Sequence, residues 1–264
     1  MSSQSENRLS VMDRALDGVK VDAAFSDELF AVVDALLGSP ILRRAVTDPG
    51  TPEEARQALV RGVFGGKVSK PVVELVAEGA TMRWKGGRTF AAALERQAVR
   101  AQLIAAERAD QLDDTEDELF RFARLVESNP DLRNALSDRA VGLAARQELV
   151  EELLRGKATP ATLALAKRAV LARERTFDHT IESYVTLAAQ QKSRLIATVR
   201  VAKPMTAEQR ERLRKSLSNQ VGRDVALQEV IDESVIGGVL VELADEVIEG
   251  TVAARLHEAE RLFS

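Results

Sequence analysis

The sequence predicts a mainly α-helical protein: two tandem small helical bundles arising from an internal duplication, followed by a small α/β C-terminal domain. Three observations predict it. The chain matches itself at an offset of about 90 residues, a spacing of domain duplication rather than of a solenoid. In both copies apolar residues recur at helical spacing, between Ser-Pro or Asn-Pro starts and glycine stops. Beyond Leu195 the apolar period falls to two, the mark of half-buried strands. The expected domains are residues 1–90, 91–194 and 195–264.

The duplication is legible residue by residue. Leu29-Phe30 aligns with Leu119-Phe120, Pro40 with Pro130, and Leu42-Arg43 with Leu132-Arg133. Ala55-Arg56-Gln57 aligns with Ala145-Arg146-Gln147, Leu59-Val60 with Leu149-Val150, and Gly66-Lys67 with Gly156-Lys157. After a short slip, Arg88-Thr89-Phe90 aligns with Arg175-Thr176-Phe177. Chance matches scatter over many registers, whereas these keep one.

Within each copy, Ser39-Pro40 and Asn129-Pro130 read as an N-cap followed by proline at the first helical position, where a missing N–H costs nothing. Thr51-Pro52-Glu53-Glu54 reads as a capping box. Behind it, Ala55, Leu59 and Val63 form an apolar stripe, answered by Ala145, Leu149 and Leu153. Gly66 and Gly156 read as helix stops. From Phe90 to Gln111 there is neither Pro nor Gly, so one long helix closes the first copy and opens the second. The acidic run Asp110–Glu118 reads as a solvated helix start, where carboxylates suit the dipole, with a basic partner as the other reading.

Leu195, Ala197, Val199 and Val201 alternate with Ile196, Thr198 and Arg200 as a strand. Thr206 caps the next helix, with Gln209 at the capping-box position, and Gly222 ends it. Val225, Leu227 and Ile231 make a second strand, Gly237-Gly238 leads into a third with Val239, Val241 and Leu243, and Asp245-Glu246 turns into Val247-Ile248. Val252, Leu256, Ala259 and Phe263 lie on one face of a terminal helix. Charge is uneven here: eight carboxylates and no Lys or Arg between Asp224 and Ala254, after a helix with Arg210, Arg212, Arg214 and Lys215. Such opposed patches either steer a partner or simply solvate the domain.

Composition excludes much chemistry. With no Cys there are no disulfides, thiolate nucleophiles or Cys zinc sites, and the two histidines, His179 and His257, are too few for a three-His metal site. No catalytic, cofactor-binding or metal-binding residue is expected. No apolar run reaches the ~18 residues of a membrane span, and Met1–Ser10 lacks a signal-peptide core, so the expectation is a soluble cytoplasmic chain. Gly62-Val63-Phe64-Gly65-Gly66-Lys67-Val68 fails as a phosphate loop: its spacing is wrong, Val68 has no hydroxyl, and it follows a helix. A net charge of −4 also argues against nucleic acid as the main partner.

The tail carries a resemblance. Gly222-Arg223-Asp224-Val225, then Val230 to Val239 with Gly237-Gly238, then Asp245-Glu246-Val247-Ile248-Glu249-Gly250-Thr251-Val252 and Arg255-Leu256 arrive in order. This run resembles the carboxy-terminal signature of the F-type ATP synthase delta subunit, the family of the mitochondrial oligomycin-sensitivity-conferring protein. The resemblance covers about Ala91 to Ser264, the span of an ordinary family member. The chain departs from the family pattern at Glu249-Gly250-Thr251, where Asp-Gly-Ser is usual, and at Glu242, where a basic residue is common. The larger departure is the extra first copy. Some members carry such a duplication, at times fused behind a membrane-anchored b subunit; no anchor precedes the first copy in this sequence, so that fusion is not expected.

The resemblance implies a peripheral-stalk (stator) subunit that catalyses nothing and binds no cofactor, placed on the cytoplasmic face of the membrane without inserting into it. Its implied partners are the alpha and beta subunits of the catalytic head and the b subunit of the stalk. An alpha-subunit helix would lie in an apolar furrow between the first and fifth helices of a bundle, in the second copy beside Val99, Leu103, Leu163, Ala166 and Val170. The b subunit would be gripped by the tail around Ile236, Gly237, Gly238 and Val239 and by the final helix with Leu256 and Phe263. The first copy is expected to add a further foothold on the stalk. The alternative is a helical adaptor that binds partner helices, or nucleic acid through the basic helix Gln209–Lys215. Against the nucleic-acid form stand the interleaved Glu211 and the distance of Trp84 and Tyr184 from that helix in the sequence.

Overall fold

In the computed structural model the described residues are 3–171, 176–192, 195–221, 225–232, 235, 238–243 and 246–251. The chain divides into two compact units, one of Met1–Leu16 with Val21–Lys192 and one of Asp17–Lys20 with Ser193–Ser264.

The first unit is helical. Its elements are α1 (Ser3–Asp17), α2 (Ala23–Gly38), α3 (Pro40–Ala45), α4 (Glu53–Phe64), α5 (Lys70–Thr81), α6 (Gly87–Arg108), α7 (Leu112–Ser128), α8 (Pro130–Ser137), α9 (Leu143–Leu154), α10 (Pro160–Ala169) and α11 (Phe177–Lys192). α2 to α5 recur as α7 to α10, as the repeat register requires. α6, 22 residues with no break, is both the sixth helix of the first copy and the first helix of the second. The divide at residue 90 therefore falls inside a helix, and both copies belong to one compact body. Fully buried Leu29, Leu36, Phe90 and Leu94 pack the first copy; Leu119, Leu136, Leu165, Phe177 and Ile181 pack the second.

The repeat extends to polar detail. Glu28 accepts a hydrogen bond from the Ser69 backbone N–H at 2.8 Å, and Glu118 accepts one from the Thr159 N–H at 2.8 Å. Arg56 donates to the Ala80 carbonyl, and Arg146 to the Val170 carbonyl at 3.2 Å. Each pair satisfies backbone groups that a helix end leaves without an internal partner. Gly66 and Gly156 both stand in the left-handed region, φ 74° and 68°, and end α4 and α9 as expected.

Two caps differ from expectation. Pro52, not Thr51, is the N-cap of α4 and offers no side-chain acceptor; the Thr51 N–H closes a turn onto Asp48, while Glu53 and Glu54 face the helix dipole. Asn129 does not cap α8 with its side chain. Its Nδ2 donates instead to Leu125 O at 2.7 Å, finishing α7. Ser39 caps α3 as expected, its Oγ accepting from the Leu42 N–H. The acidic run is engaged by its own chain: Lys192 pairs with Asp113 and Glu116, and Asp117 with Arg121.

The second unit contains β1 (Leu195–Val201), α12 (Ala207–Val221), β2 (Val225–Ile231), β3 (Gly238–Leu243) and β4 (Glu246–Thr251). Its sheet order is β2-β1-β3-β4, with β1 parallel to β2 and antiparallel to β3, and β3 antiparallel to β4. The parallel pair is joined through α12, as a crossover requires. Ala197, Val199, Val201, Val225, Leu227 and Val241 bury one sheet face with Leu217 of α12. The Thr206–Gln209 capping box forms in both directions, at 2.8 and 3.2 Å. The opposed charges meet inside this unit: Arg210 reaches Glu229 at 2.6 Å, and Arg200 of β1 reaches Glu242 of β3 at 3.1 Å. Gly222, Asp245 and the expected terminal helix from Val252 to Phe263 lie outside the described residues.

Candidate functional site

The first unit offers surfaces between helices rather than a chemical centre. Among the described residues no group of His, Cys, Asp and Glu could hold a metal ion. No described helix is long and apolar enough to cross a membrane.

The most developed polar cluster sits where α2, α6 and α10 meet. Arg168 of α10 is 7% exposed. Its Nη1 donates to both Asp34 oxygens on α2, at 3.0 and 2.9 Å, and its Nε to Glu95 on α6 at 3.0 Å. The guanidinium also lies 4.5 Å from the centroid of the Phe30 ring on α2. Burial works to strip its proton, but Glu95 and Asp34 outweigh that and raise its pKa. Four hydrophobic turns later in the chain, Tyr184 is buried and its pKa is driven up by that burial, with Glu95 adding to the shift. α2 lies along α6, where Ser26 Oγ donates to the Ala98 carbonyl at 2.8 Å, and Ala98 and Ala101 are fully buried. The furrow between α6 and α10, the first and fifth helices of the second copy, is thus overlaid by a helix of the first.

A second cluster fastens α1 to α6. Asp13 accepts from Arg96, from Gln97 Nε2 at 2.7 Å, and pairs with Arg100 at 3.0 Å. Burial pushes the Asp13 carboxyl up, but Arg100 and Arg96 outweigh it and hold it below the usual carboxylate range. Beside this clamp, the α1–α5 face of the first copy carries half-buried Arg8 and Val11 and exposed Glu78. Arg8 stacks 5.5 Å from the Trp84 ring centroid, and Trp84 Nε1 donates to the Gly79 carbonyl.

The expected alpha-helix residues fall on α6 and α10 as supposed. Val99, Leu103 and Ala166 are fully buried and Val170 is 2% exposed, so in the chain alone these four are packing positions; Leu163 is half-buried. In the tail, Gly238 opens β3 opposite Thr251, and Val239 packs half-buried against the sheet core. Ile236, Gly237, Leu256 and Phe263 lie outside the described residues. Sequence reasoning did not single out Phe30, Asp34, Glu78 or Arg168. The signal was available: the repeat register sets Phe30 against Phe120 and Glu78 against Arg168, so two copies of one face carry different chemistry.

Comparison with known proteins agrees with this architecture. The sequence model of the ATP synthase delta (OSCP) subunit matches residues 96–263, beginning within α6 and running through the second copy and the tail. ATP synthase subunit delta of Cutibacterium acnes is 42% identical over 250 residues, 95% of either chain. That of Streptomyces avermitilis is 42% identical over 252 residues, 95% of this chain and 92% of its own. A chain in a Toxoplasma gondii mitochondrial ATP synthase hexamer is 19% identical over 65% of this chain and 98% of that chain, at a TM-score of 0.30, and carries no argument. The relatives span the first copy as well as the second, and with the family match over most of the chain they place it: this protein belongs to the ATP synthase delta (OSCP) subunit family.

Proposed function

We propose that this chain is the non-catalytic bracket of the peripheral stalk, joining the catalytic head to the b subunit on the cytoplasmic face of the membrane. It holds the head against rotor torque during proton-driven ATP synthesis. A bracket needs stiffness and slow release, not a poised side chain or an open pocket. The observation that carries this reading is the single compact body made by both helical copies around shared α6, with Arg168 buried across them.

The helical unit takes an amphipathic helix of an alpha subunit into a furrow between the first and fifth helices of a bundle. The tail around Ile236, Gly237, Gly238 and Val239, with Leu256 and Phe263 beyond, grips the b subunit. Glu242 does not present a bare negative edge to that partner, because Arg200 neutralises it. The test is retention: a tagged full-length chain should hold alpha and b subunits through a salt wash in detergent extract. Retention of neither would remove the reading.

A further inference from the structure

The duplication gives the chain two versions of one furrow, and it fills only one of them itself. In the second copy, α2 lies along α6 and sets Phe30 and Asp34 beneath Arg168 of α10. In the first copy the corresponding helices are α1 and α5. The register there is fixed on both sides of the furrow residue, by the Ser69–Thr159 and Ala80–Val170 correspondences in hydrogen bonding. It aligns Arg8 with Ala98, Val11 with Ala101 and Glu78 with Arg168. Ala98 and Ala101 are fully buried, whereas Arg8 and Val11 are half-buried and Glu78 is exposed. The acceptor face is the same, and its central charge has changed sign.

We propose that the α1–α5 face of the first copy is the seat of an amphipathic helix from a partner protein, held as α2 is held on the second copy but with the ion pair reversed. The incoming helix sets an aromatic or aliphatic residue against the face and, one turn later, a Lys or Arg against Glu78, where α2 sets Phe30 and Asp34. This rests on the reading of the chain as a bracket gripped by partner helices, and it assigns that grip to the extra copy. In the second copy the same furrow is already overlaid.

α2 itself supplies the probe. Two peptides of the sequence Ala23–Gly38 are used, one unchanged and one with Asp34→Lys, neither containing Trp. Trp84, the one Trp in the chain, stacks with Arg8 at the seat and reports occupancy through its fluorescence. The Lys peptide should shift Trp84 emission saturably and bind the full chain about tenfold or more tighter than the unchanged peptide. Glu78→Arg should reverse that order, so a variant that merely misfolded, binding neither, would not pass for success. No saturable shift with the intact chain, or the same preference before and after Glu78→Arg, overturns the proposal. Self-association of the chain that is lost in Glu78→Arg would give the seat to a second copy and overturn it equally. If the peptides fail while the chain still restores coupling to membranes, the seat is wrong and the stalk role stands. If the peptides bind as stated while coupling needs no such chain, the seat stands and the stalk role falls.

Discussion

Arg168 and Asp34, 134 residues apart in sequence, meet through two hydrogen bonds from one guanidinium nitrogen, at 3.0 and 2.9 Å. The pair ties α10 of the second copy to α2 of the first, and Glu95 on the shared α6 completes it from the third side. A duplication that merely strung two bundles together would leave them free to swing. Here the continuous helix fixes their spacing and the ion cluster fixes their rotation about it, which a load-transmitting bracket requires.

Opening that cluster should loosen the joint before it unfolds either bundle. Arg168→Leu leaves Asp34 and Glu95 without their cation, but these are 40% and 31% exposed, so water recovers part of the loss. We expect about 1–3 kcal/mol of destabilisation, below the cost of breaking a fully buried pair. Arg168→Lys should fall between, since an ammonium cannot make the forked contact and stack on Phe30 together. Urea unfolding followed by far-UV circular dichroism checks both.

Asp13 predicts a pH dependence. Its carboxyl lies below its ordinary 3.8 in the folded chain, so its contribution is whole above that value and is lost as pH falls through the folded pKa. Asp13→Asn strands Arg100, 3% exposed, and should cost about 3 kcal/mol at neutral pH. The gap between Asp13→Asn and the parent chain should stay constant down to about pH 5 and shrink below about pH 4. Denaturant unfolding across a pH series measures it.

The duplicated carboxylate caps should differ in weight. Glu118 accepts three hydrogen bonds, from the Thr159 N–H and Oγ1 and from Thr162 Oγ1 at 2.6 Å, in a half-buried site. Glu28 accepts one in an exposed site. Glu118→Gln should cost about 1–2 kcal/mol and Glu28→Gln about 0.5 kcal/mol or less, read as shifts in the urea midpoint.

Two glycines four residues apart should answer oppositely to alanine. Gly62 lies inside α4 with open space where a Cβ would go, so Gly62→Ala should stabilise by about 0.5–1 kcal/mol. Gly66 stands at φ 74°, and Gly66→Ala should destabilise by about 1 kcal/mol. Thermal melts of the two variants against the parent decide it.

Much of the fold was written in local chemistry. Pro40 and Pro130 start helices, Gly66 and Gly156 stop them, the unbroken stretch after Phe90 becomes α6, and the Ala197–Val201 alternation becomes β1. The capping box at Thr206 was legible because Gln209 stands free to reach back; that at Thr51 was not, because Pro52 takes the cap and the Asp48 turn takes Thr51. The joint was harder to read. Phe30, Asp34, Glu95 and Arg168 are remote in sequence, and each alone is an ordinary helix-surface residue. Only the fold decides that one copy's outer face becomes the other's lining, and only then does the Glu78–Arg168 alignment acquire meaning.

The most direct measurement takes inverted membrane vesicles that carry the synthase of a strain deleted for this chain. The account predicts that ATP is hydrolysed but the vesicles do not acidify, and that adding the purified chain restores ATP-driven proton pumping. Full acidification without the chain would contradict it.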